Sequence, residues 1–194
     1  ILGANPNLKP YPYDVEKARA LLTEAGYEAG FSTTIWTDSD ATRVSVATII
    51  RHQLEQVGIE AQISQLEWGA YLEQLAEGKH DLFILGWTTT TGDADIGLYS
   101  LFHSHEFGAA GNRTFYTNER VDELLELGRA TTEETERLAY YYEVQEIVVD
   151  EAPWVFISVG ESTVGIQNYV QGINVNPTNL YQFNTVYFES DPVN

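Results

Sequence analysis

The chain has 194 residues, 43% hydrophobic and 12% aromatic, which suits one domain with a real core and excludes intrinsic disorder. Its 29 acidic against 10 basic residues give a formal charge of −19, a surface that repels nucleic-acid phosphates and anionic membranes. Cysteine is absent, so disulfides, thiolate metal sites and a Cys nucleophile are excluded.

Residues 1–13 carry Pro6, Pro10 and Pro12 without periodicity and read as an extended lead-in. They hold neither an initiator Met nor a basic-then-apolar leader, and resemble the interior of a longer protein. Asp14 is placed to cap a helix that runs to about Ala25 and stops at Gly26, with Ala18, Leu21, Leu22 and Ala25 as its apolar stripe. "FSTTIWT" (31–37) alternates and is β-branched, which predicts a strand. Asp38 or Asp40 caps the next helix, whose apolar face is Val44, Ala47, Ile50, Leu54 and Val57 and whose end is Gly58. Residues 59–66 alternate Ile59, Ala61 and Ile63 against polar neighbours, a second strand. A short helix over about 69–77 closes at Gly78, and "DLFILG" (81–86) reads as a buried strand.

Asn118 begins a helix of about 119–130, and Thr132 one of about 133–151 that Pro153 ends. Leu138, Tyr141, Val144 and Val148 form the apolar face of the second. "WVFISV" (154–159) reads as another buried strand, and residues 163–194 as short strands and turns. No apolar run approaches the roughly 20 residues of a membrane span. The alternation of strand and helix predicts an α/β fold with a mostly parallel sheet flanked by helices.

The stretch "GWTTTTGDADIGLYSLFHS" (86–104) leaves the third strand, where open α/β sheets bind ligands. It is not a phosphate loop: five residues separate Gly86 from Gly92, and Asp93 stands where Lys is needed. Asp93 and Asp95 supply hard oxygen ligands for a divalent cation, as in a metal-dependent glycosyltransferase or hydrolase, but either is also a helix N-cap, the stronger reading. His103 and His105 are too few for a metal site. Trp36, Trp68 and Trp87 stand near successive strand ends, and with Thr37 and Thr88, Thr89, Thr90 and Thr91 they describe an apolar pocket with hydroxyl donors and no catalytic machinery.

"YDVEKARALLTEAGY" (13–27), "EWGAYL" (67–72), "HDLFILGW" with "GDAD" (80–95), "LFHS" (101–104), "GNRTFYTNERVDELL" (112–125) and "QEIVVDEAPWVF" (145–156) follow one another in the chain. In this order they resemble the C-terminal part of the peptide- and nickel-type substrate-binding proteins of ABC importers. The resemblance implies a type II periplasmic-binding-protein-like lobe over 1–160. It also implies a tail, 161–194, that returns toward an N-terminal lobe of the same protein. It implies an extracytoplasmic location, a permease and ATPases as partners, a peptide or other small solute as ligand, and no cofactor, resident metal or catalysis. Trp68 and Trp87 match family tryptophans that line side-chain pockets. Where dipeptide binders carry an ammonium-binding Asp, three residues after the second Trp, this chain has Thr90. Where they carry a carboxylate-binding Arg after the first strand, it has about Thr37. The resemblance therefore points away from simple dipeptides, toward a longer, modified or neutral ligand. Asp93 and Asp95 remain candidate cation partners. A nickel or metal-chelate binder using His103 or His105 is the alternative within the family, and a sensing domain that has lost transport is another.

Overall fold

A computed structural model of the chain describes residues 1–161, 163–176 and 181–189. The elements are α1 (Val15–Glu24), β1 (Phe31–Thr37), α2 (Ala41–Glu55), β2 (Ile59–Gln65), α3 (Trp68–Ala76), β3 (Leu82–Phe83) and α4 (Ala94–Phe102). Then come α5 (Glu119–Ala130), α6 (Glu134–Glu151), β4 (Val170–Gln171) and β5 (Tyr187–Phe188).

Helix starts follow side-chain capping. Asp14 Oδ1 accepts from Lys17 N at 2.9 Å, and Asn118 Oδ1 from Arg120 N and Val121 N at 2.9 and 3.1 Å. Of the two candidates before α2, Asp40 is the cap, accepting from Arg43 N at 2.9 Å. Of the pair before α4, Asp93 is the cap, accepting from Asp95 N at 2.9 Å. Thr132 does not cap α6. Thr131 does the local work instead, its Oγ1 accepting from Glu133 N at 3.2 Å, and the helix begins one residue later than the pattern suggested.

β1 is the central strand of a parallel sheet ordered β2-β1-β3. Phe31 pairs with Ile59 through to Thr37 with Gln65, and Ile35 and Trp36 pair with Leu82 and Phe83. The chain thus leaves β1 for one side through α2 and comes back to its other side through α3. Alternation along β1 sends Ile35 toward α2, where it packs with Ala47 and Ala61 and, around them, Ile50, Leu54, Ile63 and Ile84. A second core lies among α4, α5 and α6, built on Phe102, Leu124, Leu125, Tyr141, Val144 and Val148. Trp154 adds its ring to this core, 5.5 Å from that of Phe102.

Two expected buried strands are corrected. In "DLFILG" only Leu82 and Phe83 join the ladder, and Leu82 is exposed. Residues 154–159 form no strand, and Val155 and Val159 are 79% and 93% exposed. Their composition suits a pleated, buried environment, but a strand also needs a partner for its backbone, and no described residue supplies one. The tail contributes the antiparallel pair β4–β5. Residues 162, 177–180 and 190–194 of the expected tail strands lie outside the described residues.

Candidate ligand cleft

The segment that follows β3 opens into a cleft of about 630 Å³, within the range of small-molecule sites. The first turns of α2 (Thr42, Arg43, Val46) and the strand exit Ile84–Trp87 form one side. The inner face of α4 and the segment 154–159 form the other. The position corresponds to the switch point at which open α/β sheets bind ligands, with β2 on one side of β1 and β3 on the other.

Trp87 lines this cleft and is 39% exposed. Thr89 lines it too and rests its methyl on α4, where a Cβ added to Gly97 would lie 3.2 Å from Thr89 Cγ2. Thr88 and Thr90 are exposed and outside the lining. Trp68 opens α3, whose start Glu67 caps by accepting from Gly69 N at 2.8 Å. Trp68 is 46% exposed and reaches the cleft only through Arg43, whose guanidinium lies 5.6 Å from the indole centroid. Trp36 and Thr37 are on opposite faces of β1 and neither lines the cleft. The Trp36 indole donates to Thr34 Oγ1 at 3.0 Å and meets His80 edge-on, while Thr37 is fully buried with no hydrogen-bond partner for Oγ1. The strand period of two separates these neighbours.

Arg43 lies close to the strand exit in sequence, but its place within the next helix sets it apart from the candidate lining read there. Its Nε donates to Asp38 Oδ1 at 2.7 Å and its Nη2 to Asp38 Oδ2 at 2.6 Å. The Arg43 contact holds the Asp38 carboxyl below its ordinary 3.8, against a smaller opposing effect of burial. The available signal was an acid and an Arg five residues apart across an Asp40 N-cap. That cap turns the chain so that the first turn of the helix looks back at Asp38.

Residues 1–109 match the family described as bacterial extracellular solute-binding proteins, family 5 Middle. The chain belongs to this family. The glutathione-binding protein GsiB of Escherichia coli K12 is 35% identical over 183 residues, which are 90% of this chain and 36% of that protein. The dipeptide-binding protein of the same organism is 31% identical over 96% of this chain and 36% of its own length. The Helicobacter pylori periplasmic binding protein DppA, solved in complex with the peptide STSA, superposes with a TM-score of 0.84. It is 34% identical, and the match covers 98% of this chain and 37% of DppA. The chain therefore spans a little over a third of these relatives, and its fold is that of type II periplasmic binding proteins.

In this chain the acidic motif at 93–95 serves as a clamp. Asp93 receives Arg137 through Nη1 and Nη2 at 2.9 and 2.8 Å, and this pairing lowers its pKa. Asp95 accepts from Arg129 Nε at 2.7 Å, and the Arg129 guanidinium lies 3.2 Å from the Tyr99 ring centroid. Both carboxylates are thus tied to α5 and α6 and carry cationic partners, an arrangement unlike an open cation site. His103, His105 and Glu126 place ligand-type atoms within 4.8 Å of one another. His103 is buried, and its Nδ1 accepts from His105 N at 3.1 Å. That leaves the proton of a neutral ring on Nε2, the atom facing Glu126 at 3.5 Å, where a metal would need a lone pair.

Proposed function

We propose that this chain is the second, ligand-binding lobe of an ABC-importer solute-binding protein that takes up peptides, that it works without catalysis, and that its residues 161–194 lead back toward the first lobe. The observation that carries the reading is the half-exposed Trp87 on a largely apolar cleft at the sheet's switch point. Apolar walls with a few polar groups bind and orient a solute, and closure of a second lobe would bury what remains exposed. Trp87 and Thr89 contact the ligand directly in this reading, and Trp68 stands behind Arg43. Asp93 and Asp95 hold the loop 86–93 in place. Support for the peptide class comes from the relatives, whose names give glutathione, a dipeptide and the peptide STSA as ligands. In this reading the whole protein works outside the cytoplasm and delivers to a permease with its ATPases.

Thr90 bears on the ligand. Related dipeptide binders resemble this chain but carry an Asp there, and here the threonine is exposed and off the cleft lining. A free peptide ammonium therefore finds no carboxylate at this point, which favours longer or modified peptides. The test is mass spectrometry of small molecules released from the full-length protein purified natively, followed by titration with a peptide library. Recovery of peptides, and their loss from a Trp87→Ala variant, is the expected result. A protein that carries none and binds none overturns the reading.

A further inference from the structure

The lining of the Trp87 cleft contains one charged side chain, Arg43. Its partner Asp38 is shut away, with 9% of its side chain exposed against 30% for Arg43. Asp38 occupies Nε and one hydrogen of Nη2. Among the described residues nothing accepts from Nη1, so three of the five guanidinium hydrogens, on the edge away from Asp38, are unused. The Trp68 ring lies against the same group. Arg43 is therefore a cation oriented by a buried carboxylate, backed by an aromatic ring, and unpaired on one forked edge, on the wall of a cleft with no other charged side chain. A planar fork held in this way loses little side-chain freedom on meeting a second carboxylate, and it matches that group's two oxygens.

We propose that Arg43 is the specificity-determining contact for a carboxylate on the ligand, with Asp38 as its positioning residue. This rests on the peptide-binding reading of the cleft. A carboxylate suits the site better than a doubly charged phosphate, because no second cation lines the cleft and Asp38 lies directly behind the first. The buried Thr37 hydroxyl, where the resemblance places a ligand-binding Arg, is closed to a ligand. Arg43 approaches from the first turn of α2 instead. The carboxylate comes either from the peptide's C-terminus or from an acidic side chain.

The experiment titrates the full-length protein with three forms of one peptide recovered as above: free acid, C-terminal amide, and amide carrying one added Glu. The wild type is compared with Arg43→Lys and with the double variant Asp38→Asn, Arg43→Gln, which leaves no unpaired buried charge. The wild type is expected to prefer one or both carboxylate-bearing forms over the plain amide by about tenfold or more. Whichever form carries the preference identifies the source. The double variant is expected to lose that preference, its affinities for the three forms converging, and Arg43→Lys to keep part of it. If the preference survives in the double variant, or all three forms weaken equally, Arg43 is structural and the proposal falls while the peptide reading stands. Equal wild-type affinity for the three forms has the same consequence. If the wild type binds no peptide at all, the peptide reading falls and takes this proposal with it.

Discussion

Gly128→Ala sets two effects of opposite sign against each other inside α5. On an exposed helix face the change would stabilise by about 1 kcal/mol, because Ala gives up less backbone freedom than Gly. Here a Cβ would stand 2.7 Å from Tyr141 Cε1 and 3.0 Å from Cζ, where ordinary contacts begin near 3.4 Å. Tyr141 has nowhere to go: it is fully buried, and a Cβ on Gly3 would already lie 3.3 Å from its other edge. Its hydroxyl donates to Asp95 at 3.3 Å. Overpacking of this kind costs about 1–3 kcal/mol. With a cost near 2 and a gain near 1, the net is a destabilisation of about 1 kcal/mol, or about 2–4 °C in Tm for a unit of this size. Thermal and urea denaturation of the wild type, Gly128→Ala, Tyr141→Leu and the double variant would read this. In the Tyr141→Leu background the ring is gone, and Gly128→Ala should become neutral or stabilising. A wild-type Tm that rises on Gly128→Ala would refute the reasoning.

Three further outcomes are expected. Asn112 is fully buried, donates from Nδ2 to the carbonyls of Tyr116 and His103, and accepts at Oδ1 from Tyr116 N and Thr114 Oγ1. Asn112→Ala strands the Tyr116 backbone groups and should lower stability by about 2–3 kcal/mol, measured by urea denaturation; a loss under about 0.5 kcal/mol would mean that water replaces the side chain. Asp38 and Asp93 both have folded pKa values below the ordinary 3.8, so their contribution to stability is complete above that value and drains away as pH falls below it. Unfolding curves at pH 7 and pH 3 should therefore differ less for Asp93→Asn than for the wild type, and an equal acid loss in both would remove Asp93 from the account. Thr90→Asp in the full-length protein should leave the preference for free-amine over N-acetyl peptides unchanged, since Thr90 is exposed and off the cleft lining; a raised ratio would show that this position faces the ligand's amino end.

Local physics made most of this molecule readable from its residues. The caps at Asp14, Asp40, Asp93 and Asn118, the alternation of β1 and β2, and the inward face of α6 each depend on neighbours within a few positions. The segment 154–159 was misread because a strand is a relation between two backbones, and only one of them is visible in a local pattern. The site divides in the same way. Trp87 and Thr89 line the cleft, and their place there was legible because they leave a strand end, which local periodicity can locate. Trp36 and Thr37 were grouped with them by proximity along the chain, although a strand sends adjacent side chains to opposite faces. Arg43 lies close to the strand exit in sequence, but its place within the next helix argued against it. Its approach to the cleft depends on how the Asp40 cap turns the chain, and that is a three-dimensional fact.

The acidic surface and the cleft answer to different demands. Around the Trp87 loop, the carboxylates of Asp93 and Asp95 are drawn off by Arg137 and Arg129, and that of Asp38 by Arg43. Those three arginines are nearly a third of the chain's 10 basic residues, in a protein with 29 acidic ones. Scarce cations used in this way leave the cleft lining free of carboxylates while the outer surface keeps its charge. An uncharged wall is what an apolar or amide-rich ligand needs, because a carboxylate without a partner would have to be desolvated each time the cleft filled. The one place where the pairing is left half open is Arg43. It lines the cleft with one edge unpaired, and on the proposed reading discrimination by charge in this lobe is concentrated there.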